Sequence, residues 1–445
     1  MYKTLKEKFN KLSSDKNYLE ILSGSAWALG ARILGTAMST VISIIIARCY
    51  GAEILGIVAV LNSFLMLSTI FTILGTNTSI LRLIPEHLAK YSYSSAFRVY
   101  RKIQYFVAGV SIITGIMLFV GSGFIAETLF CKPYMQIYFK LGSVFIVFQS
   151  LMSLNTHAVR GVRLIRTFAF MQILPTFSKL IILVLLTAFF FHPDNPVYAM
   201  FSSITITAFA GAWIMDRIFK KKSKSSDTVH IMPIKQILSI STPMLMASTM
   251  NFVIGQTGVV MLGMFRSESE VGYYAIAVKL ASLTGFILTA INSIAAPKFS
   301  ELYHSEKTDE LFQVAKKSTK LIFWAATPIL LCLITMGKPI ISILYGADFT
   351  VAYGAMLFLV VGQFVNSVSG STGFFMNMTG HQKMFRNIVA IAAFINIILS
   401  YLLIPEIGIK GAAIAGMVSL SFWNVTTLIY IRRKFGKTIA YLPFL

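Results

Sequence analysis

Charge is scarce in this sequence. Asp, Glu, Lys and Arg make up 13% of its 445 residues, against about 25% in soluble domains, which excludes a chain built of ordinary soluble domains. Acid is scarcer still, with 17 Asp and Glu against 39 Lys and Arg. Cysteine is nearly absent, and Cys49, Cys131 and Cys332 form no metal-ligand spacing. The six histidines are scattered, so no zinc site is expected. Gly436-Lys437-Thr438 ends like a phosphate-binding loop, but the glycine needed five residues earlier is Ile431. No pair of carboxylates is set for acid–base work, and no cleavable signal pattern is present. No catalytic residue, metal or cofactor is therefore assigned, and the chain is not expected to be an enzyme.

What the sequence has is apolar length. Its mean hydropathy is +0.74. Twelve mostly apolar runs recur near 21–47, 54–80, 103–126, 135–157, 167–191, 196–216, 237–264, 272–296, 321–345, 350–379, 387–404 and 411–431. A spanning helix needs roughly 20 such residues, and barrel strands are far shorter. Lipid offers the backbone no hydrogen-bond partner, so each run must satisfy its own polar groups as a helix. The class is all-α polytopic membrane protein with twelve transmembrane helices.

The formal charge of +22 invites a nucleic-acid reading, but its placement opposes one. Most Lys and Arg fall before Glu20, in the even-numbered connections and after Ile431. That is the bias that fixes membrane orientation, and it puts both termini in the cytoplasm. The basic excess then serves topology and contact with anionic lipid, and no nucleic-acid partner is expected. Cys49 and Cys131 fall on the outward side, which leaves a disulfide between them open without requiring one. In "YKTLKEKFNKL", Tyr2, Leu5, Phe9 and Leu12 share a helical face, which reads as an interfacial amphipathic helix.

Shifted by 216 residues, the sequence partly overlays itself. Ile21 falls on Ile237, Gly56 on Gly272, Ala59 on Ala275 and Arg82 on Lys298. Both halves begin on the same side, so they are parallel repeats about an axis along the membrane normal, and transporters built this way bind substrate between the repeats. The expected organisation is a basic leader over 1–20, a six-helix bundle over 21–216, a linker over 217–236, a second bundle over 237–431 and a tail over 432–445. The linker stretch "DRIFKKKSKSSDTVH" is polar and basic.

Three cations fall inside the runs: Arg32, Lys179 and Lys279. A charge at the bilayer centre costs about 2.5–3.5 kcal/mol on insertion scales, so it normally faces a bundle interior or a wet cavity. Arg32 shares its helical face with Gly35, Thr36, Ser39 and Ser43, a small and polar stripe. Lys179 shares one with Gln172 and Thr176, and Lys279 with Gly272, Ala275 and Ser282; for the lysines, snorkelling to the interface is the competing reading. No acid is central in any run. A cavity holding cations without anions suits an anionic substrate, and guanidinium suits phosphate. Asn251 and Gln256 in the seventh run, and Gln363, Asn366 and Asn377 along one face of the tenth, offer uncharged groups for sugar hydroxyls, against interhelical bonding as the alternative. Arg160, Arg163 and Arg166, spaced by three, read as one side of a helix at the cytoplasmic surface. Arg160 and Arg163, with Arg82 and Lys298, form a candidate cytoplasmic entry, or the run merely anchors topology.

Four phrases carry a family resemblance: "ARCYGAEILGIVAV", "LGMFRSESEVGYYAIAVKL" running on to "AAPKFSELY", "GKPIISILYGADFTVAYGAMLFLVVGQ" and "NIILSYLLIPEIGIKGAAIAGMVS". In this order they resemble the polysaccharide-transporter branch of the multidrug/oligosaccharidyl-lipid/polysaccharide exporter superfamily. The resemblance implies two six-helix bundles in a V around a central cationic lumen, with alternating access. It implies a polyprenyl-diphosphate-linked oligosaccharide as substrate, carried from the inner to the outer leaflet of a bacterial or archaeal cytoplasmic membrane. Membrane lipids and glycan-polymerising machinery are the implied partners. Arg32, with Lys179 and Lys279, would then meet the diphosphate, and Asn251, Gln256, Gln363, Asn366 and Asn377 the glycan. A lipid II-type flippase, an exporter of a soluble anion or drug-like molecule, and a membrane glycan polymerase or ligase are the alternatives. "ARILG" resembles the first-span arginine motif of lipid II flippases.

Overall fold

The structure, a computed structural model, describes residues 16–223 and 232–443. The amphipathic segment expected over Tyr2–Leu12 and part of the linker lie outside the described residues. No strand occurs among the described residues. The helices are α1 (Lys16–Ile73), α2 (Thr76–Lys90), α3 (Tyr93–Val120), α4 (Gln136–Gly161), α5 (Ile165–Phe189), α6 (Asn195–Lys222), α7 (Ile234–Phe265), α8 (Glu268–Ala281), α9 (Gly285–His304), α10 (Thr308–Tyr345), α11 (Ala352–Ser369), α12 (Thr372–Met378), α13 (Gln382–Ile407) and α14 (Ile409–Phe435). Three-residue turns and a π-helical turn over Ile125–Leu129 interrupt the connections. Among the described residues, 10 helical stretches are long and apolar enough to cross a membrane. The chain is a multi-pass integral membrane protein.

Two of the expected runs meet in one element. The first and second both lie in α1, where Gly51, at φ 83 and ψ −179, breaks the helical path. Only glycine holds that backbone without strain, so the chain changes direction there. The tenth run breaks as well. α11 ends at Gly370 (φ 70), and a Cβ at that position would lie 2.1 Å from Thr319 Oγ1. The shared helical face expected for Gln363, Asn366 and Asn377 is therefore corrected, because Asn377 belongs to α12, on the far side of the break. The expected Arg160–Arg166 face is corrected too. α4 ends at Gly161, Arg163 sits in a turn at φ 63 and Arg166 opens α5.

The chain divides into two compact units. The first holds the described residues up to Val41, with Thr72–Ile113 and Phe145–Thr242. Its core is built from α2, α3, α4 and α6, with Ile80, Leu83, Tyr100, Leu154 and Phe219 fully buried. A polar clasp runs through it. Tyr100 donates to Asn155 Oδ1 at 2.8 Å, and Asn155 Nδ2 donates to the Ala208 carbonyl at 3.1 Å. Gly211 gives Asn155 its room, since a Cβ there would meet the Asn155 Cβ at 2.8 Å. Asn155→Leu strands the Tyr100 hydroxyl. It should cost about 1–2 kcal/mol, near the upper range for interhelical bonds in membranes, and should lower the melting temperature in detergent more than Tyr100→Phe does.

The second unit holds Ile42–Phe71, Thr114–Val144 and Pro243–Leu445. An aromatic cluster of Phe299, Phe312, Phe375 and Phe435 packs one part of it. Elsewhere in the unit the two sequence repeats touch backbone to backbone. A Cβ on Gly56 would lie 1.8 Å from the Glu268 carbonyl oxygen, and one on Gly272 would lie 2.2 Å from that of Ala52. Ala52 and Glu268 are related by the 216-residue shift, as are Gly56 and Gly272. The contact is thus self-complementary in the manner of a two-fold interface, and small residues let the helices approach this closely. Around it, Ser63 donates to Gln256 at 2.7 Å, Lys279 Nζ donates to Ser43 Oγ at 3.0 Å, and Lys132 lies 3.0 Å from the Glu268 carboxylate. Arg48 donates to the carbonyls of Ser342, Ile343 and Leu344, at the negative end of the α10 dipole.

Candidate functional site

Arg32 lies on α1 in the first unit, and its side chain is exposed. Among the described residues it has no hydrogen-bond, ion-pair or ring partner. Beside it the helix is sparsely packed: Ala31 is buried, while Ile33 and Leu34 are about half exposed (54% and 51%), and a Cβ on Gly35 would meet nothing within 4 Å. Lys179, half-buried on α5, is also without a partner among the described residues. Both cations therefore belong to helices of the same unit. Lys279 belongs to the second unit and is held by Ser43, itself 3.3 Å from the Tyr345 hydroxyl. Its chemistry is that of the contact between the repeats.

The amides separate in the same way. Gln256 accepts from Ser63. Gln363 accepts from Asn366 at 3.3 Å, Asn366 accepts from Asn424 at 3.2 Å, and Asn424 accepts from Thr372 at 3.2 Å. This chain of bonds straddles the helix break at Gly370, and Asn366 is buried within it. Asn377 is exposed instead and lines a cavity. The side chain of Asn251 lies outside the described residues.

The candidate entry cations are exposed. Arg82 lies 3.8 Å from Glu86, which Lys90 holds at 2.8 Å; the Lys90 ammonium keeps that carboxyl below its usual range. Lys298, the repeat equivalent of Arg82, pairs with Glu301. Arg160 stacks 5.4 Å over Phe168.

Two cavities of about 530 Å³ each stand out. One lies in the first unit between α1 and α5, lined by Trp27, Gly30, Leu34, Arg166, Phe170 and Ile173. The other lies in the second unit among α7, α12, α13 and α14, where Lys383, Arg386, Gln382 and Asn377 meet Phe385 and Trp423. Among the described residues, no Asp or Glu lines either cavity. Apart from Asn377 and Arg166, no residue in the cavities stood out in the sequence. Only the 216-residue shift, carried on to α5 and α13, could have found them.

The model of a family described as "Polysaccharide biosynthesis protein" matches residues 45–353. This chain belongs to that family. It is similar to the probable low-salt glycan biosynthesis flippase Agl15 of Haloferax volcanii, at 21% identity over 53% of this chain and 48% of that protein. The match thus spans about half the length of that relative. Among solved structures, an inward-facing multidrug resistance MATE family transporter of the MOP superfamily superposes at TM-score 0.67 and 14% identity, covering 92% of this chain and 98% of the other. The lipid II flippase MurJ, in an inward closed conformation, superposes at TM-score 0.67 and 14% identity over 92% and 87% of the two chains. These likenesses show a shared fold, that of MOP-superfamily transporters.

Proposed function

We propose that this polysaccharide biosynthesis protein is a flippase that moves a polyprenyl-diphosphate-linked oligosaccharide from the inner to the outer leaflet of the cytoplasmic membrane. The reading takes α1 as two spans meeting at Gly51 and counts twelve in all, in two six-helix bundles with both termini cytoplasmic. The observation that carries it is Arg32: a permanent cation within a span, exposed and unpaired among the described residues, in a chain whose spans hold no central acid. A guanidinium within a span without a counter-ion is costly, and a diphosphate supplies the phosphate oxygens that its fork of donors can bind in pairs. Lys179 adds a second charge on α5. The amides near Gly370 and in α7 supply uncharged groups for a glycan. With the N-terminus inside, the Gly56–Gly272 contact lies at the outer ends of its helices, where it would seal the path while substrate enters from the cytoplasm. Rocking of one repeat against the other would break it.

The test is flipping in proteoliposomes, followed by access of the sugar head group to an external modifying probe. Arg32→Ala should slow wild-type flipping at least about tenfold, the loss expected when about 1.4 kcal/mol of differential binding is removed. Arg32→Lys should keep part of the rate. Equal rates for wild type and Arg32→Ala would move the phosphate contact elsewhere, and absence of flipping by the wild type would remove the substrate class.

A further inference from the structure

The two cavities are repeat copies of one another. The 216-residue shift that overlays Gly56 on Gly272 carries Leu34 onto Met250, Arg166 onto Gln382, Ala169 onto Phe385, Phe170 onto Arg386 and Ile173 onto Val389. Every one of these ten residues lines its own cavity. Two copies that share so little sequence have kept cavities on equivalent helices, α1 and α5 in the first repeat and α7 and α13 in the second, where α12 and α14 add to the lining. They have also kept one chemistry, an apolar body with a cationic rim, while reaching it through different residues. In the first groove the cation is Arg166, whose guanidinium lies 5.9 Å over the Trp27 ring. In the second the cations are Lys383 and Arg386, which line the cavity together with an edge-to-face pair of Phe385 and Trp423 at 5.7 Å. A ring holds a guanidinium in place without consuming its donors, and no carboxylate pairs with Arg166, Lys383 or Arg386 among the described residues.

We propose that each groove is a docking site for the phosphate-bearing end of a polyprenyl lipid, so that one chain holds two such lipids, one per repeat. The proposal rests on the flippase reading and deepens it. Charge complementarity selects the occupant: cations without acids call for an anion, and the aromatic and aliphatic walls call for hydrocarbon attached to it. A cavity of about 530 Å³ is of the size that encloses a small ligand. It takes the phosphates and the first prenyl units and leaves the rest of the chain in the bilayer. Arg32 and Lys179 lie on the two helices that flank the first groove, which places the handover from docking to transport within that unit.

Two glycines provide variants that fill the grooves without disturbing the packing. Gly30 and Gly255 line the first and second grooves, and a Cβ on either would meet nothing within 4 Å. A larger residue at such a helical position also favours the folded backbone. The experiment is native mass spectrometry of the full chain with a long-chain polyprenyl diphosphate, with the matching polyprenol and phosphatidylglycerol as competitors. Two adducts per chain are expected. Gly30→Leu and Arg166→Gln should each remove one, Gly255→Leu and the pair Lys383→Gln/Arg386→Gln should each remove the other, and Gly30→Leu/Gly255→Leu should leave none at unchanged melting temperature. Adducts that persist in the doubly filled chain, or that are absent from the wild type, overturn the proposal. So does equal displacement by phosphatidylglycerol or by polyprenol. Binding is read without transport, so a failed flipping assay beside two specific adducts condemns the flippase reading alone, and flipping that survives filled grooves condemns the docking sites alone.

Discussion

Gly272→Val should sharply reduce the population with the closed contact between the repeats. The first atom of the new side chain would stand 2.2 Å from the Ala52 carbonyl oxygen, and that obstacle is backbone, which no rotamer change relieves. The helices must part or the contact must be given up. Overpacking of this kind costs about 1–3 kcal/mol, and each 1.4 kcal/mol is about tenfold in an equilibrium. The closed population should therefore fall between about fivefold and a hundredfold. A cysteine introduced at Ser63, which is fully buried and bonded to Gln256, reports this directly. Its reaction with a membrane-impermeant maleimide should accelerate by the same factor, and flipping should fall because the path no longer closes. Gly56→Val should match Gly272→Val, since the two positions are repeat equivalents against equivalent backbone. The double variant should add little, because either one already separates the helices. Gly285→Ala, where a Cβ meets nothing within 4 Å, should change neither readout. Unchanged protection at position 63 in both valine variants would mean that the contact is not a seal.

The same glycines show how far the sequence could be read. The apolar runs revealed the helices, because in lipid length and hydropathy settle the class before packing does. The 216-residue shift paired Gly56 with Gly272 by identity alone, and the structure supplies the cause: two backbones touch where those residues have no Cβ. Positions less constrained had drifted apart, as Ala52 and Glu268 have. Breaks at glycine within apolar runs were less legible. The break at Gly370 depends on Thr319, more than fifty residues away in sequence, which fills the space a Cβ would take. The turn at Arg163 was hidden because a non-glycine residue at φ 63 is uncommon, and nothing in "VRGVRLIR" marks the fifth residue, Arg163, as left-handed. The bond from Lys279 to Ser43 was not legible because the two lie in different repeats. The grooves were invisible for the same reason: each joins helices far apart in the chain, and only the repeat shift connects Arg166 with Gln382.

Glu268→Ala should destabilise the chain more than any other single removal of a side chain in this contact. Glu268 is 6% exposed. Its carboxylate lies 3.0 Å from Lys132 and accepts a bond from Tyr134, and its own backbone is what Gly56 packs against. It also stands in the first turn of α8, where a negative charge is favoured by the helix dipole and where Ser267 caps the amide of Glu270. Alanine leaves the Lys132 ammonium in a largely buried place with the Arg266 carbonyl at 2.6 Å as its remaining bond. Breaking one partner of a buried pair costs about 3–5 kcal/mol, whereas replacing both by apolar residues is often neutral or better. Lys132→Met/Glu268→Met should therefore recover most of the melting temperature that Glu268→Ala loses, and Lys132→Met alone should fall between. Stability and closure can then be told apart. If the double methionine variant is stable but its Ser63→Cys reporter reacts as fast as in Gly272→Val, the ion pair is a latch that holds the repeats together. If the reporter stays protected, the glycine crossing closes the contact by itself and the ion pair only tolerates burial.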